Sequence, residues 1–182
     1  LLKNKYIGFN GAIKSAFEIT NSKAVLLYPA DDHENFDLIE KMYDKFSQGY
    51  EIVCASRFME GGQYKGAPLV KRILVKVVSF TLSNFTSLPT KDATNGFRLF
   101  SNDILKKFTI ESSKGFTFSI ELLAKGHRSG NKITELPERW PIRKQGKSKF
   151  KYLTIFFYLK WYIYILSTSF KNFKNRGSYL RK

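Results

Sequence analysis

Two short, largely apolar stretches constrain this chain more than anything else in it. They are the unbroken run Ala24-Val25-Leu26-Leu27-Tyr28 and the stretch from Glu51 to Ala55, apolar after its first residue. Such runs mark strands buried on both faces, as in a parallel sheet. Between them, residues 36–48 place Phe36, Ile39, Met42, Tyr43 and Phe46 at helical spacing, and Gly49 is a good stop. An earlier helix is predicted over Asn10–Ile19, from Ala12, Ile13, Ala16 and Phe17. Helix, strand, acidic loop, helix, strand is the βαβ rhythm of an α/β fold. Ligands of such sheets bind beyond the carboxyl ends of the strands. The loop 31–34 and the pair Ser56-Arg57 both fall at such ends. Acids and a cation at neighbouring strand tips suit a metal–phosphate ligand.

Further on, Gly61-Gly62 breaks the chain and a long helix is expected over Pro68–Phe85. A polar loop 91–96 runs into a strand over Phe97–Phe100. Ser101 is placed to cap a helix over about 102–108. A helix from Phe116 to about Arg128 is closed by Gly130. Two short strands, Lys132–Leu136 and Arg139–Ile142, flank Pro137.

Charge and composition narrow the functional classes. The chain has 182 residues, enough for one domain with a sizeable core, and its 43% hydrophobic content excludes a disordered tail. The single cysteine, Cys54, excludes a disulfide framework and a cysteine-based zinc site. Residues 139–182 hold 12 of the 31 Lys and Arg and none of the 15 Asp and Glu. A polycation of this kind seeks phosphate, in nucleic acid or on an anionic membrane. Here the cations are interleaved with Leu, Ile and aromatics, as for lipid, and no nucleic-acid motif is recognised. Tyr152–Phe170 carries one charge, Lys160, among many aromatics, and basic residues flank it. This predicts a helix lying in the membrane surface rather than a spanning one. Leu1–Lys5 contains no signal-peptide h-region, and the chain reads as beginning in the middle of a fold.

Each candidate site has a plainer counterpart. Asp31-Asp32-His33 offers oxygens and an imidazole to a divalent metal, or it caps the next helix through the dipole. Arg57 can fork onto a phosphate, or lie on the surface. Asp92 to Arg98 can present Thr94 and Asn95 to a sugar or phosphate, or form an Asn-Gly turn. Glu121, amid apolar residues, is exposed on a helix or buried for function. Arg143 to Lys149 is an anion grip or a solvated basic loop. It is not a Walker motif, because Pro141 stands where that motif needs glycine.

The order of these pieces carries more than any one of them. An Asp-rich turn follows a buried strand. Next come Ala55-Ser56-Arg57-Phe58 with Gly61-Gly62, and Asp92-x-Thr94-Asn95-Gly96-Phe97-Arg98. Phe118-x-Ile120-Glu121-Leu122-Leu123 and Arg143-x-x-Gly146-x-Ser148-Lys149 complete the series. This resembles the family 2 glycosyltransferases of the dolichyl-phosphate mannose synthase type, over about residues 8–160.

The resemblance implies an α/β GT-A, Rossmann-like nucleotide-sugar-binding fold. It would be incomplete at the N-terminus, since relatives open with a strand ending in Pro-x-Tyr-Asn-Glu that is not found here. It implies a transferase domain over 1–149 and a basic, aromatic membrane-associating segment over 150–182. It implies inverting transfer of a hexose from a nucleotide-sugar, of GDP-mannose or UDP-glucose type, to a polyprenyl or dolichyl phosphate. That reaction would use Mg2+ or Mn2+ at the cytoplasmic face of an anionic membrane, with no nucleic acid as partner. Asp31, Asp32 and His33 would hold the metal. Pro29 departs from the family's Asp-x-Asp turn, whose second Asp is Asp31. Asp31, Arg57 and Arg143 would be catalytic. Lys71, Arg72, Asp92, Thr94, Asn95, Glu121, Ser148 and Lys149 would bind donor or acceptor. A transferase acting on another acceptor, a polysaccharide or a glycolipid, and a non-catalytic basic module for lipid or nucleic acid remain alternatives.

Overall fold

The computed structural model describes residues 5–6, 8–65, 67–140 and 155–179, with side chains up to Thr168. The elements run α1 (Gly8–Ile19), β1 (Ala24–Leu27), α2 (Phe36–Ser47), β2 (Ile52–Ser56), β3 (Gln63–Tyr64) and α3 (Leu69–Phe85). They continue with β4 (Arg98–Ser101), α4 (Asn102–Lys107), α5 (Thr117–Arg128), β5 (Ile133–Pro137), β6 (Arg139–Trp140) and α6 (Ile155–Tyr179).

The main sheet has the order β1-β4-β2-β5, and β3 pairs with β6 in a second, two-stranded sheet. β2 and β5 are parallel, with Ile52 opposite Ile133 and Ser56 opposite Pro137. β4 runs antiparallel to both neighbours, pairing Arg98 with Leu27 and with Cys54. The purely parallel rhythm expected from the sequence is therefore corrected to a mixed sheet. No crossover returns the chain to the far end after β2. The loop before Arg98 delivers it at the carboxyl ends of β1 and β2, and from there it can only run back.

β2 is buried along its whole length, as its apolar run requires. β1 is only half-buried, because it lies at the sheet edge. On α2, Leu38 and Met42 face the sheet, whereas Phe36, Ile39 and Tyr43 of the expected apolar stripe are exposed. Leu38 and Met42 join Val53, Ala55, Phe97 and Leu99 in a smaller core on that side. The main core lies on the other side, around Ile52, Cys54, Phe100, Ile104, Phe118, Leu122 and Leu123. Each fully buried large apolar side chain there contributes roughly 1.5–3 kcal/mol. Gly126 lets α5 approach the sheet, since a Cβ there would meet Ile52 Cδ1 at 2.6 Å. Ser101 caps α4 as its sequence position predicts, accepting a hydrogen bond from the Ile104 amide at 3.3 Å.

α6 packs its Trp161 and Ile165 into the main core against α5. Trp161 Nε1 donates to Ser112 Oγ at 3.0 Å, and Tyr162 Oη donates to Thr81 Oγ1 of α3 at 3.0 Å. Its other side exposes Phe156, Leu159 and Ile163, and the neighbouring α3 exposes Val70, Ile73, Val77 and Phe80. Among the described residues, no helix is long and apolar enough to cross a membrane.

Candidate active site

The carboxyl ends of β1, β2 and β5 share one end of the sheet with the start of β4. Four chain segments therefore meet there: Pro29–Asn35, Ser56-Arg57, Asp92–Phe97 and Glu138-Arg139.

Arg57 leaves the buried end of β2 and turns inward. Its Nε donates to Asp92 Oδ2 at 2.6 Å and its Nη2 to Asp92 Oδ1 at 2.8 Å. Nη2 also donates to Thr94 Oγ1 at 3.0 Å, and the Arg57 amide donates to Asp92 Oδ2 at 3.1 Å. Aromatic rings surround the guanidinium, with Tyr64 at 4.4 Å, Trp140 at 5.3 Å and Phe58 at 5.5 Å from its central carbon. Such contacts favour a desolvated cation. The small β3–β6 sheet supplies Tyr64 and Trp140. Gly62 lets that sheet fold back, because a Cβ there would lie 2.6 Å from the Ser56 carbonyl oxygen. Burial raises the Tyr64 phenol, although the Arg57 charge pulls it down. The charge of Arg72 reaches the same phenol from the first turn of α3, where Lys71 is also half-buried.

Asn95 crosses between strands. Its Nδ2 donates to the Ala55 carbonyl at 2.8 Å and to Glu138 Oε2. Burial pushes the Glu138 carboxyl up to about 7; the Asp92 and Asp32 charges add to the rise, and Arg57 and the Asn95 hydrogen bond oppose it. Beneath this loop lies Arg98, fully buried, which holds main-chain carbonyls. Nη1 donates to Ser119 O at 2.6 Å, and Nη2 to Asp92 O at 3.1 Å and Ala93 O at 2.7 Å. The 92–97 loop is thus fixed from both sides.

The acidic turn holds itself together. Asp32 Oδ1 accepts from the Glu34 amide at 2.9 Å and the Asn35 amide at 3.2 Å, and both carboxylate oxygens accept from Asn35 Nδ2. Asp31 and His33 are exposed. Among the described residues, no three His, Cys, Asp or Glu side chains form a group that could hold a metal. The expected ligand trio therefore does not converge, because the Asp32 carboxylate is committed to its own turn. One or two carboxylates beside phosphate oxygens are what Mg2+ usually takes, and Asp31 is exposed just beyond the end of β1.

The structure thus brings Arg57, Asp92, Thr94 and Asn95 together, with Asp32 and the first turn of α3 close by. It does not bring Glu121 to them. That carboxylate is fully buried and accepts from the Glu111 amide at 2.7 Å, the Ser112 amide at 2.8 Å and Lys125 Nζ at 2.7 Å. Lys125 and Lys160 both pair with Glu111 and hold its carboxyl low, at about 2. This belt ties α5 and α6 to the 111–112 segment. Arg143, Ser148 and Lys149 lie outside the described residues.

The sequence reading missed Asn35, Tyr64, Glu138 and Trp140. Glu138 alone left a signal, as an acid directly after a predicted strand and beside Pro137.

Comparison with known proteins bears on the family. Residues 1–109 match the glycosyl transferase family 2 model. The chain is 27% identical over 162 residues to the dolichol-phosphate mannosyltransferase of Pyrococcus furiosus, covering 87% of this chain and 45% of that protein. It is 24% identical over 145 residues to the polyprenol monophosphomannose synthase of Mycolicibacterium smegmatis, covering 78% of this chain and 52% of that protein. The chain therefore spans about half the length of these curated relatives. With the family model covering more than half of its residues, and with polar groups gathered at the strand ends where such sheets bind ligands, this chain belongs to glycosyl transferase family 2.

Proposed function

We propose that this chain transfers a hexose from a nucleotide-sugar to a polyprenyl phosphate at a membrane surface. The observation that carries the reading is the Arg57–Asp92 pair with Thr94 and Asn95, held at the strand ends beside the acidic turn. The names of the two relatives, a dolichol-phosphate mannosyltransferase and a polyprenol monophosphomannose synthase, support a mannosyl donor and a lipid phosphate acceptor.

A phosphate acceptor is already ionised near pH 7, so the reaction needs no strong base. Catalysis then rests on position and charge. Asp92 holds the plane of Arg57, and the aromatic box keeps water from it, so the cation meets phosphate without reorganising. Lys71 and Arg72 add positive potential from the first turn of α3. Half-buried Thr94 would offer its hydroxyl to the sugar, and Asn95, whose amide is taken by Ala55 and Glu138, would hold the loop in place. Arg143, Ser148 and Lys149 would close on the phosphates from the segment after β6. Inversion follows if the acceptor oxygen attacks the anomeric carbon opposite the leaving diphosphate. Asp31 would hold Mg2+ or Mn2+, which when bound neutralises charge on that leaving group.

The exposed apolar residues of α3 and α6, together with the basic composition of residues 139–182, support docking on anionic lipid. The cytoplasmic leaflet carries such lipid, and each nearby cation is worth about 1 kcal/mol there.

The test is transfer of labelled sugar by the full-length protein from GDP-mannose or UDP-glucose into an organic-extractable lipid. Label in the lipid phase that depends on added polyprenyl phosphate supports the reading. Label only in a glycan acceptor shifts it to polysaccharide or glycolipid synthesis, and no transfer with intact lipid binding rejects it.

A further inference from the structure

We infer that Asn35 is a positioning residue that fixes the acidic turn against the strand leading into the basic 143–149 segment. This rests on the transferase reading above. Asn35 is 2% exposed, and its side-chain amide is fully engaged. One side of Nδ2 faces the Asp32 carboxylate, at 2.9 and 2.8 Å from the two oxygens. Nδ2 also donates to the Arg139 carbonyl at 2.9 Å, and Oδ1 accepts from the Arg139 amide at 3.0 Å. The two partners lie 104 residues apart in sequence.

The geometry has a simple reason. β6 pairs with β3 through the carbonyls of Glu138 and Trp140, which accept from the amides of Gln63 and Lys65. In an extended strand the N–H and C=O of the residue between them point the other way. Arg139 therefore turns its two main-chain groups toward Asn35. A side-chain amide carries a donor and an acceptor in one plane, so Asn35 stands in for the next strand. Its remaining N–H holds Asp32, and so the turn that carries Asp31. A single side chain thus sets the spacing between the donor-side acids and the strand that enters the basic segment. Misplacing groups by about 1 Å is enough to cost two orders of magnitude in rate.

The test uses the full-length protein with Asn35→Ala and Asn35→Asp. Asn35→Ala removes every side-chain bond, and Asn35→Asp keeps the size but loses the donors and sets a second carboxylate against Asp32. The expected result is faster hydrogen exchange at the Arg139 amide in both variants. Both variants are expected to raise the donor KM and to lower kcat/KM by about tenfold or more. A lower melting temperature with unchanged KM and kcat in the folded protein would reduce Asn35 to a structural residue and overturn the inference. Wild-type exchange at Arg139 in both variants would overturn it as well. Should Asn35→Ala fail to fold, the kinetic constants of Asn35→Asp decide. If the wild-type protein transfers no sugar, the transferase reading fails instead, while the exchange result still reports on the contact.

Discussion

Arg57 and Asp92 form a two-point ion pair across 35 residues of sequence, with 5% and 0% of their side chains exposed. A buried pair of this kind is costly to break, because removing one partner strands the other charge. Asp92→Ala is expected to lose about 3–5 kcal/mol of stability. The double variant Arg57→Met with Asp92→Leu should regain most of that loss. Urea denaturation of both variants checks this, and a loss under about 1 kcal/mol for Asp92→Ala would mean the pair is open to water.

Glu138 gives the site a pH signature. Its carboxyl rises from 4.5 to about 7, mainly by burial. The unfolded chain then releases this proton before the folded one does, so the folded state binds more protons between these values. Stability from this group is therefore greatest at and below pH 4.5, falls as pH rises to about 7, and levels off above. Glu138→Gln should remove that slope. It should be more stable than wild type by up to about 3 kcal/mol at pH 8 and nearly equal to it at pH 4.5. Paired denaturation curves from pH 4.5 to 8.5 measure the difference, and a difference that does not change with pH would disprove it.

Gly61 and Gly62 should respond differently to alanine. At Gly62 the new Cβ would sit 2.6–2.9 Å from main-chain atoms of Ser56 and Arg57. That overpacking is expected to cost about 1–3 kcal/mol and to displace Arg57, raising KM in the transfer assay. At Gly61 there is room, but φ is +83°. The cost there is about 1–2 kcal/mol of backbone strain with KM unchanged. Measured KM values that rank the two the other way would refute this account of the turn.

Asp31 and Asp32 are adjacent yet separable. Asp31 is exposed, so Asp31→Asn should change stability by less than about 0.5 kcal/mol. Transfer should fall by about 100-fold or more if it faces the leaving diphosphate. Asp32→Ala takes away the acceptor of the turn's own amides and should cost about 1–3 kcal/mol of stability. Melting curves with transfer rates on the same samples separate the two, and full transfer by Asp31→Asn would remove it from the site.

The two faces of α6 should also separate. Phe156, 69% exposed, and Ile163, 54% exposed, contribute little to the core. Changing both to Ser should leave the melting temperature in place while weakening flotation with anionic vesicles. Trp161→Ala opens the core instead and should cost about 3–5 kcal/mol. Undiminished vesicle binding by the Ser variant would place the membrane contact elsewhere.

The amino-acid order by itself determined what depends on near neighbours. Helical spacing located α1 and α2, Gly130 marked the end of α5, a largely apolar stretch located β2, and Ser101 foretold its cap. The motif order around Arg57, Asp92, Thr94 and Asn95 pointed to the family. Only the tertiary structure decided which distant segments meet. It inserted β4 between β1 and β2 in the reverse direction and left much of the α2 stripe in solvent. It joined Arg57 to Asp92, turned Glu121 toward the 111–112 segment, and set Asn35 and Glu138 at the shared strand ends. The physical reason is that periodicity and capping are settled within a few residues. The partner of a buried polar group is settled by topology, and the chain between Asn35 and Arg139 carries no local trace of their contact.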